Sequence, residues 1–219
     1  MAATIKLDFI SDIVCPWCII GYKRLEKAIN ELGIQDRIDI EWQPFELNPG
    51  MPTEGENLQE HIIRKYGSTL LESKRSEENI SELGAELDFR FDFFDAMKIV
   101  NTRDAHILLD YAKDCGKQTE LKMRFFKAFF NERKDISDRK ILIQELQHVG
   151  LNSDEALLRF ENDEAHERVK TTETFWHGRG ISSVPTMVFN RSSALTGAQP
   201  VEVYKQVLTD ILTTENTKA

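Results

Sequence analysis

Two cysteines three residues apart, in Cys15-Pro16-Trp17-Cys18, fall where the hydrophobic period of the chain changes. Upstream, Ile5-Lys6-Leu7-Asp8-Phe9-Ile10 alternates apolar and polar residues as a strand does. Downstream, Ile20, Leu25, Ala28, Ile29 and Leu32 recur near helical spacing. The pair is therefore expected at a strand-to-helix turn, with Cys15 as N-cap and Pro16 in the first helical position, where a missing N–H leaves nothing unpaired. The free N–H groups of Trp17 and Cys18 should then aim at the Cys15 sulfur and, with the helix dipole, favour its thiolate. Cysteines at such sites have pKa values of about 3.5–7.5 rather than ~8.5. Cys18 lies one turn further in, its Cα roughly 5 Å from that of Cys15, inside the ~4.4–6.8 Å that a disulfide spans. Cys15 would attack a substrate and Cys18 would resolve the mixed disulfide.

Other uses of such a pair fit less well. A structural zinc site wants four ligands, and the remaining cysteine is Cys115, with no histidine pair at finger spacing, so no metal is expected. A static disulfide belongs to exported chains, and Met1-Ala2-Ala3-Thr4-Ile5 runs into the first strand without a basic region and apolar signal core. The chain is read as cytoplasmic, where a dithiol is more often catalytic than structural. The 219 residues allow one large domain or two small ones, with 41% hydrophobic and 30% charged residues. A net charge of −9 argues against nucleic acid and anionic membrane as partners, and no run approaches the ~20 apolar residues of a membrane span.

After Gly33, residues 37–45 read as a second strand, giving a strand–helix–strand crossover with parallel strands. Asn48-Pro49-Gly50 and Pro52 mark a boundary loop over about 47–53. The middle of the chain is expected to be helical. One helix is placed over about 57–73, and residues 84–95, rich in phenylalanine, form an extended or looped segment. Asn101 caps a helix through Cys115, and another over about 119–132 carries Phe125, Phe126, Phe129 and Phe130 as a core stripe. Ser137 or Asp138 starts a helix through Val149, and Ser153 starts a long polar helix reaching about Trp176. Strand character returns at 184–189, followed by a turn over 190–193, a partner strand at 194–196 and a last helix through Leu212, with fraying from Thr213. The organisation expected is 1–50 and 161–219 as two parts of one domain, with 51–160 inserted between them.

Val184-Pro185 opens the late apolar strand. If that bond is cis, the turn can bring the Val184 backbone beside the cysteines, where its N–H and C=O could pair with an extended peptide or a thiol cofactor. By itself an ordinary trans proline at a strand start is the simpler reading.

Several segments together resemble the DsbA-like branch of the thioredoxin superfamily, and within it the FrnE-type proteins. They are Ser11-Asp12-Ile13-Val14-Cys15-Pro16-Trp17-Cys18 with Ile20-Gly21, Trp42-Gln43-Pro44-Phe45-Glu46-Leu47-Asn48-Pro49, Asn101-Thr102-Arg103-Asp104-Ala105-His106, Asp135-Ile136-Ser137-Asp138, Val184-Pro185-Thr186 and Gly197-Ala198-Gln199-Pro200. The resemblance implies an α/β thioredoxin fold interrupted by an all-helical insertion. It further implies thiol–disulfide oxidoreductase or isomerase activity with Cys15 as nucleophile, and a cis Pro185. Pro16, Trp17, Val184 and Pro185 would then contact substrate, a protein or small-molecule thiol or disulfide. No bound cofactor is expected, with glutathione a candidate redox partner. Kappa-class glutathione transferases and hydroxychromene-carboxylate isomerases are similar in fold but characteristically carry serine at the first cysteine position; this chain keeps both cysteines. A glutathione-using isomerase or transferase and a non-catalytic binding or chaperone protein are the alternatives.

Around the pair, Asp12 is read either as a tuner of the Cys15 proton or as a solvated turn carboxylate. Glu41 and Glu46, flanking the second strand, are candidate proton relays to Cys18. His106 is read as a packed helix residue that could face an interdomain cleft, Cys115 as an ordinary thiol, and His177 as a helix-end residue.

Overall fold

The computed structural model describes residues 4–218, with the side chains of 215–218 left aside. Strand β1 (Ile5–Ser11), helix α1 (Pro16–Leu32) and strand β2 (Ile38–Pro44) form the expected crossover, with β1 and β2 parallel and Phe9 opposite Trp42. Gly33, at φ 64°, ends α1 in the left-handed conformation glycine adopts freely.

The chain then leaves the sheet. Strand β3 (Glu56–Asn57) and strand β4 (Lys98–Ile99) pair antiparallel, so the insertion is helical apart from this small ladder. Its helices are α2 (Leu58–Tyr66), α3 (Leu70–Ala85), α4 (Arg103–Asp114), α5 (Gln118–Phe130), α6 (Arg139–His148) and α7 (Ser153–Phe160). Helix α8 (Asp163–His177) leads back to strands β5 (Thr186–Phe189) and β6 (Ser193–Thr196) and to helix α9 (Val201–Lys218). The four-stranded sheet has the order β2-β1-β5-β6, and both pairings of β5 are antiparallel. Asn190 and Arg191, with φ 48° and 53°, make the tight turn between β5 and β6.

Two expected helices are each two. The apolar period runs on through 57–73, but Gly67 closes α2 at φ 68° and Thr69 opens α3 with a capping box to Glu72. The long helix expected from Ser153 to about Trp176 breaks at Asn162, whose side chain caps Ala165 N–H and starts α8. The phenylalanine-rich segment after α3 is a loop folded back on that helix. A Cβ on Gly84 would lie 2.5 Å from Phe89 O and from the Phe91 ring, so glycine there lets the loop close. Helix α9 runs to Lys218, so the segment from Thr213 in which fraying was expected has a helical backbone as far as that residue. Residues 1–3 and 219, on which the readings of both chain ends partly rested, lie outside the described residues.

One aromatic chain joins the sheet to the insertion. Phe9 packs 4.5 Å from Trp42, Tyr22 lies 4.9 Å from Trp42, and Phe126 of α5 meets Trp42 at 6.3 Å, centroid to centroid. The phenylalanines of α5 are buried as a core stripe should be. Along the β2 edge, Gln118 of α5 stands in for a neighbouring strand. Its Oε1 accepts from Trp42 N–H at 2.8 Å and its Nε2 donates to Trp42 C=O at 2.9 Å.

Candidate redox site

Cys15 is the N-cap of α1 and Pro16 its first residue, so Cys18 falls in the first turn. The Cys15 sulfur accepts no capping hydrogen bond, contrary to the expected contact with Trp17 and Cys18 N–H groups. Cys18 N–H donates instead to Cys15 C=O at 3.1 Å. The sulfur lies 3.9 Å from Val184 C=O, and Cys15 is itself buried, with 5% of its surface exposed. Both cysteines are free thiols. Cys18 is fully enclosed, and burial, with the adjacent Cys15 sulfur adding to it, pushes its thiol pKa well up. Trp17 remains 37% exposed beside the pair.

The Val184–Pro185 peptide bond is cis. Pro185 packs against α1 where Gly21 provides room, a Cβ there lying 3.2 Å from Pro185 Cγ and 3.5 Å from Ala198. Of the four residues expected to contact substrate, Pro16 and Trp17 follow Cys15 in α1, Val184 C=O lies near its sulfur, and Pro185 packs on Gly21 further along α1. Three of them, Pro16, Trp17 and Val184, line a cleft of about 380 Å³ between α1, α2, α3 and the end of α5. Its walls are largely apolar, with Leu58, Ile80 and Met97 among them. Phe129 and Phe130 also reach it, so part of the core stripe doubles as cleft wall.

Beneath the cysteines lies a polar cluster. Asp12 has no exposed surface, which rules out the solvated-turn reading. Its carboxylate accepts from Ile13 N–H and Leu47 N–H, each at 2.7 Å, and His106 Nε2 lies 3.3 Å from Oδ1. Burial would raise its pKa, but His106, Leu47 N–H and the charge of Lys122 together hold it below the ordinary value. His106 is packed, as expected, and its partner is this carboxylate. Lys122 is buried on α5, with Nζ 5.4 Å from the Trp42 ring and 5.2 Å from the Phe126 ring. Nothing in the sequence singles it out, because lysines in helices usually face water.

Neither candidate relay carboxylate is free for that role. Glu41 takes Lys113 at 2.6 Å and Lys6 at 3.0 Å, and these cations with Gln43 outweigh burial and hold its pKa down to about 2. Glu46 is clamped by Arg103 at 2.8 Å. Cys115 is exposed at the end of α4, and His177 hydrogen-bonds Ile181 C=O at 3.1 Å at the end of α8. No helix among the described residues is long and apolar enough to cross a membrane.

A mixed sheet with a Cys-x-x-Cys pair at the start of its first helix, facing a cis-proline turn, defines the thioredoxin-fold dithiol proteins. Residues 6–209 match the DSBA-like thioredoxin domain family, and the chain belongs to it. A probable DsbA oxidoreductase from Streptomyces coelicolor is similar in structure, with a TM-score of 0.88, 28% identity and coverage of 94% of this chain and 89% of that one. The uncharacterized protein YwbO of Bacillus subtilis is 25% identical, over 94% of this chain and 97% of its own. The cytosolic disulfide reductase DsbM of Pseudomonas aeruginosa shares the fold, with a TM-score of 0.67, 16% identity and coverage of 95% of this chain and 99% of that one. DsbM has also been solved with GSH.

Proposed function

We propose that the chain is a thiol–disulfide oxidoreductase in which Cys15 attacks and Cys18 resolves. The observation that carries this reading is the asymmetry of the pair: Cys15, though largely buried, lines the cleft and has its Sγ beside Val184, whereas Cys18 has no exposed surface and does not line it. An attacking sulfur must reach substrate, and a resolving one need reach only its neighbour. In the forward direction Cys15 thiolate displaces one sulfur of a substrate disulfide, which leaves as thiolate. Cys18 then displaces the other sulfur from Cys15, so the substrate gains two electrons and the pair becomes a disulfide. The reverse sequence oxidises a substrate dithiol.

Val184 offers its backbone to an extended thiol-bearing segment in this reading, and Pro16, Trp17 and Pro185 shape the surface around the reacting sulfur. A small thiol such as glutathione is a fitting redox partner, a role supported by the cleft beside Cys15 and by the GSH complex of DsbM. A reducing compartment, as for DsbM, suits a pair that must be re-reduced. The test is mixed-disulfide trapping. Cys18→Ser should accumulate substrate on Cys15, seen as a mass increase lost on reduction, and Cys15→Ser should accumulate none. Trapping on Cys18 in the Cys15→Ser variant, with none in Cys18→Ser, would reverse the roles.

A further inference from the structure

The cleft that Cys15 lines is one-sided in charge. Among the described residues lining it there is no lysine or arginine, and its carboxylates are Glu72 and Glu77 of α3, the helix that packs against α1. Glu72 is engaged at the start of its own helix, where Oε2 accepts from Thr69 N–H and from the Thr69 hydroxyl, each at 2.8 Å. His61, also in the wall, is held by Glu56 at 2.6 Å. Glu77 differs: its Oε1 is buried without a hydrogen-bond partner among the described residues. One turn before it, Ser73 is 1% exposed, and its Oγ is likewise buried and unpartnered. Such enclosed, unpaired polar atoms are uncommon and costly. Residues four apart share a face of a helix, and both of these line the cleft.

We propose that Ser73 and Glu77 form a subsite for the ammonium group of a small aliphatic thiol or disulfide whose sulfur meets Cys15. The inference rests on Cys15 being the attacking cysteine. An ammonium brings three donors and no acceptor, which suits a carboxylate oxygen and a hydroxyl that both lack a partner. The apolar side chains of Leu58, Ile80 and Met97 line the same cleft and suit the alkyl chain between nitrogen and sulfur. Burial raises the Glu77 pKa, helped by Asp95 and Glu78 and opposed by Lys74 and the Ser73 hydroxyl. A ligand ammonium beside it favours the charged carboxylate, so docking and ionisation support each other. An anionic end group would meet Glu77 with no cationic side chain in the wall to offset it. Glutathione, with one ammonium and two carboxylates, would use the subsite through its ammonium alone.

With such a disulfide, the Cys15 thiolate attacks one sulfur, the S–S bond breaks, and the far half leaves as a thiolate with the electron pair. Cys18 then gives its proton to water and displaces the near half from Cys15. The substrate ends as two thiols, and the cysteine pair, having lost two electrons, ends as a disulfide. The subsite moves no electron or proton in this sequence. It selects which disulfide is held in the cleft while Cys15 reacts.

The test uses the full reduced chain and symmetrical aliphatic disulfides of matched chain length, ending in ammonium or in carboxylate. The rate of Cys15–Cys18 oxidation is read by acid quench, thiol alkylation and mass. The ammonium-to-carboxylate rate ratio is then compared between variant and wild type, so that the intrinsic reactivity of each disulfide cancels. That ratio should fall about tenfold in Glu77→Gln and about threefold in Ser73→Ala. Glu78→Gln removes the same charge from an exposed position of α3 outside the cleft wall and should change the ratio less than about twofold. An unchanged ratio in Glu77→Gln or Ser73→Ala would overturn the inference. So would an equal fall in Glu78→Gln and Glu77→Gln, which would assign the preference to the net charge of −9. A second measurement needs no redox chemistry. Pentylammonium chloride should shift the amide NMR signals of Ser73 and Glu77 in the reduced wild-type chain, and sodium pentanoate should not. No shift with pentylammonium, or equal shifts with both, would sink the proposal. Failure of the parent reading is separate: Cys18→Ser would then trap nothing on Cys15, while the pentylammonium shifts would persist.

Discussion

Asp12 shows what a single enclosed carboxylate can organise. It ties the turn before Cys15 to Leu47, just past β2, and to His106 of α4, so three distant stretches meet at one group. Removing it leaves two enclosed N–H groups and a histidine without their acceptor. Asp12→Ala is therefore expected to lose about 3 kcal/mol of folding free energy, measured by urea denaturation, and Asp12→Asn should recover only part of it, because its NH2 would face one of the N–H donors that the carboxylate accepts from. Both Asp12 and His106 stand out in the sequence, but their contact does not, because 94 residues separate them. Lys122 was hidden for a different reason. Its neighbours on α5 follow an ordinary amphipathic pattern, and only the approach of the sheet half turns that position inward.

At the level of elements, the chain's own punctuation decided where local reading succeeded. The strand–helix–strand start was legible because alternation, Pro16 and Gly33 all agree on it. The two merged helices were misread because their apolar period continues across the breaks while the caps, Thr69 with Glu72 and Asn162, lie within it. Those caps hold free energy of their own. Asn162→Ala should cost about 1 kcal/mol in thermal unfolding and raise amide exchange first at Ala165, whose N–H then keeps only the residue 162 carbonyl as acceptor. The gathering of Cys15, Val184 and Pro185 was legible only through the resemblance, since periodicity alone permits either proline isomer.

Across the molecule, the acidic balance sets the response to pH. Asp12, Glu41, Glu132 and Glu145 all titrate below their ordinary values. Nearby cations and donors outweigh burial at Asp12, Glu41 and Glu145, and Arg124 leads at Glu132. A carboxylate lowered by folding binds fewer protons folded than unfolded at acid pH. Its contribution is complete above the unfolded value and drains away as pH falls through the folded one. Asp8, Asp110 and Glu173, raised chiefly by burial, work in the opposite sense, relieving a cost as pH falls through their folded values toward the ordinary carboxylate range. The expected outcome is a urea midpoint that holds from about pH 7 to 5 and then falls steadily from about pH 4.5 toward 2. Arg124→Met, which removes one of the two cations that Glu132 and Glu145 share and leaves them Lys134, should flatten that fall in part.

The carboxamide of Gln118 has a consequence for modularity. The outer strand of a sheet is a template, and unpaired backbone invites a second molecule to extend it. Here a side chain from the insertion occupies both backbone groups of Trp42 on that strand. A version pruned to its sheet-bearing half would uncover the template and expose Trp42 beside it. The insertion thus acts as a guard against self-templating as well as a wall of the cleft. Shortening this chain by evolution or by design would have to blunt that rim by other means first.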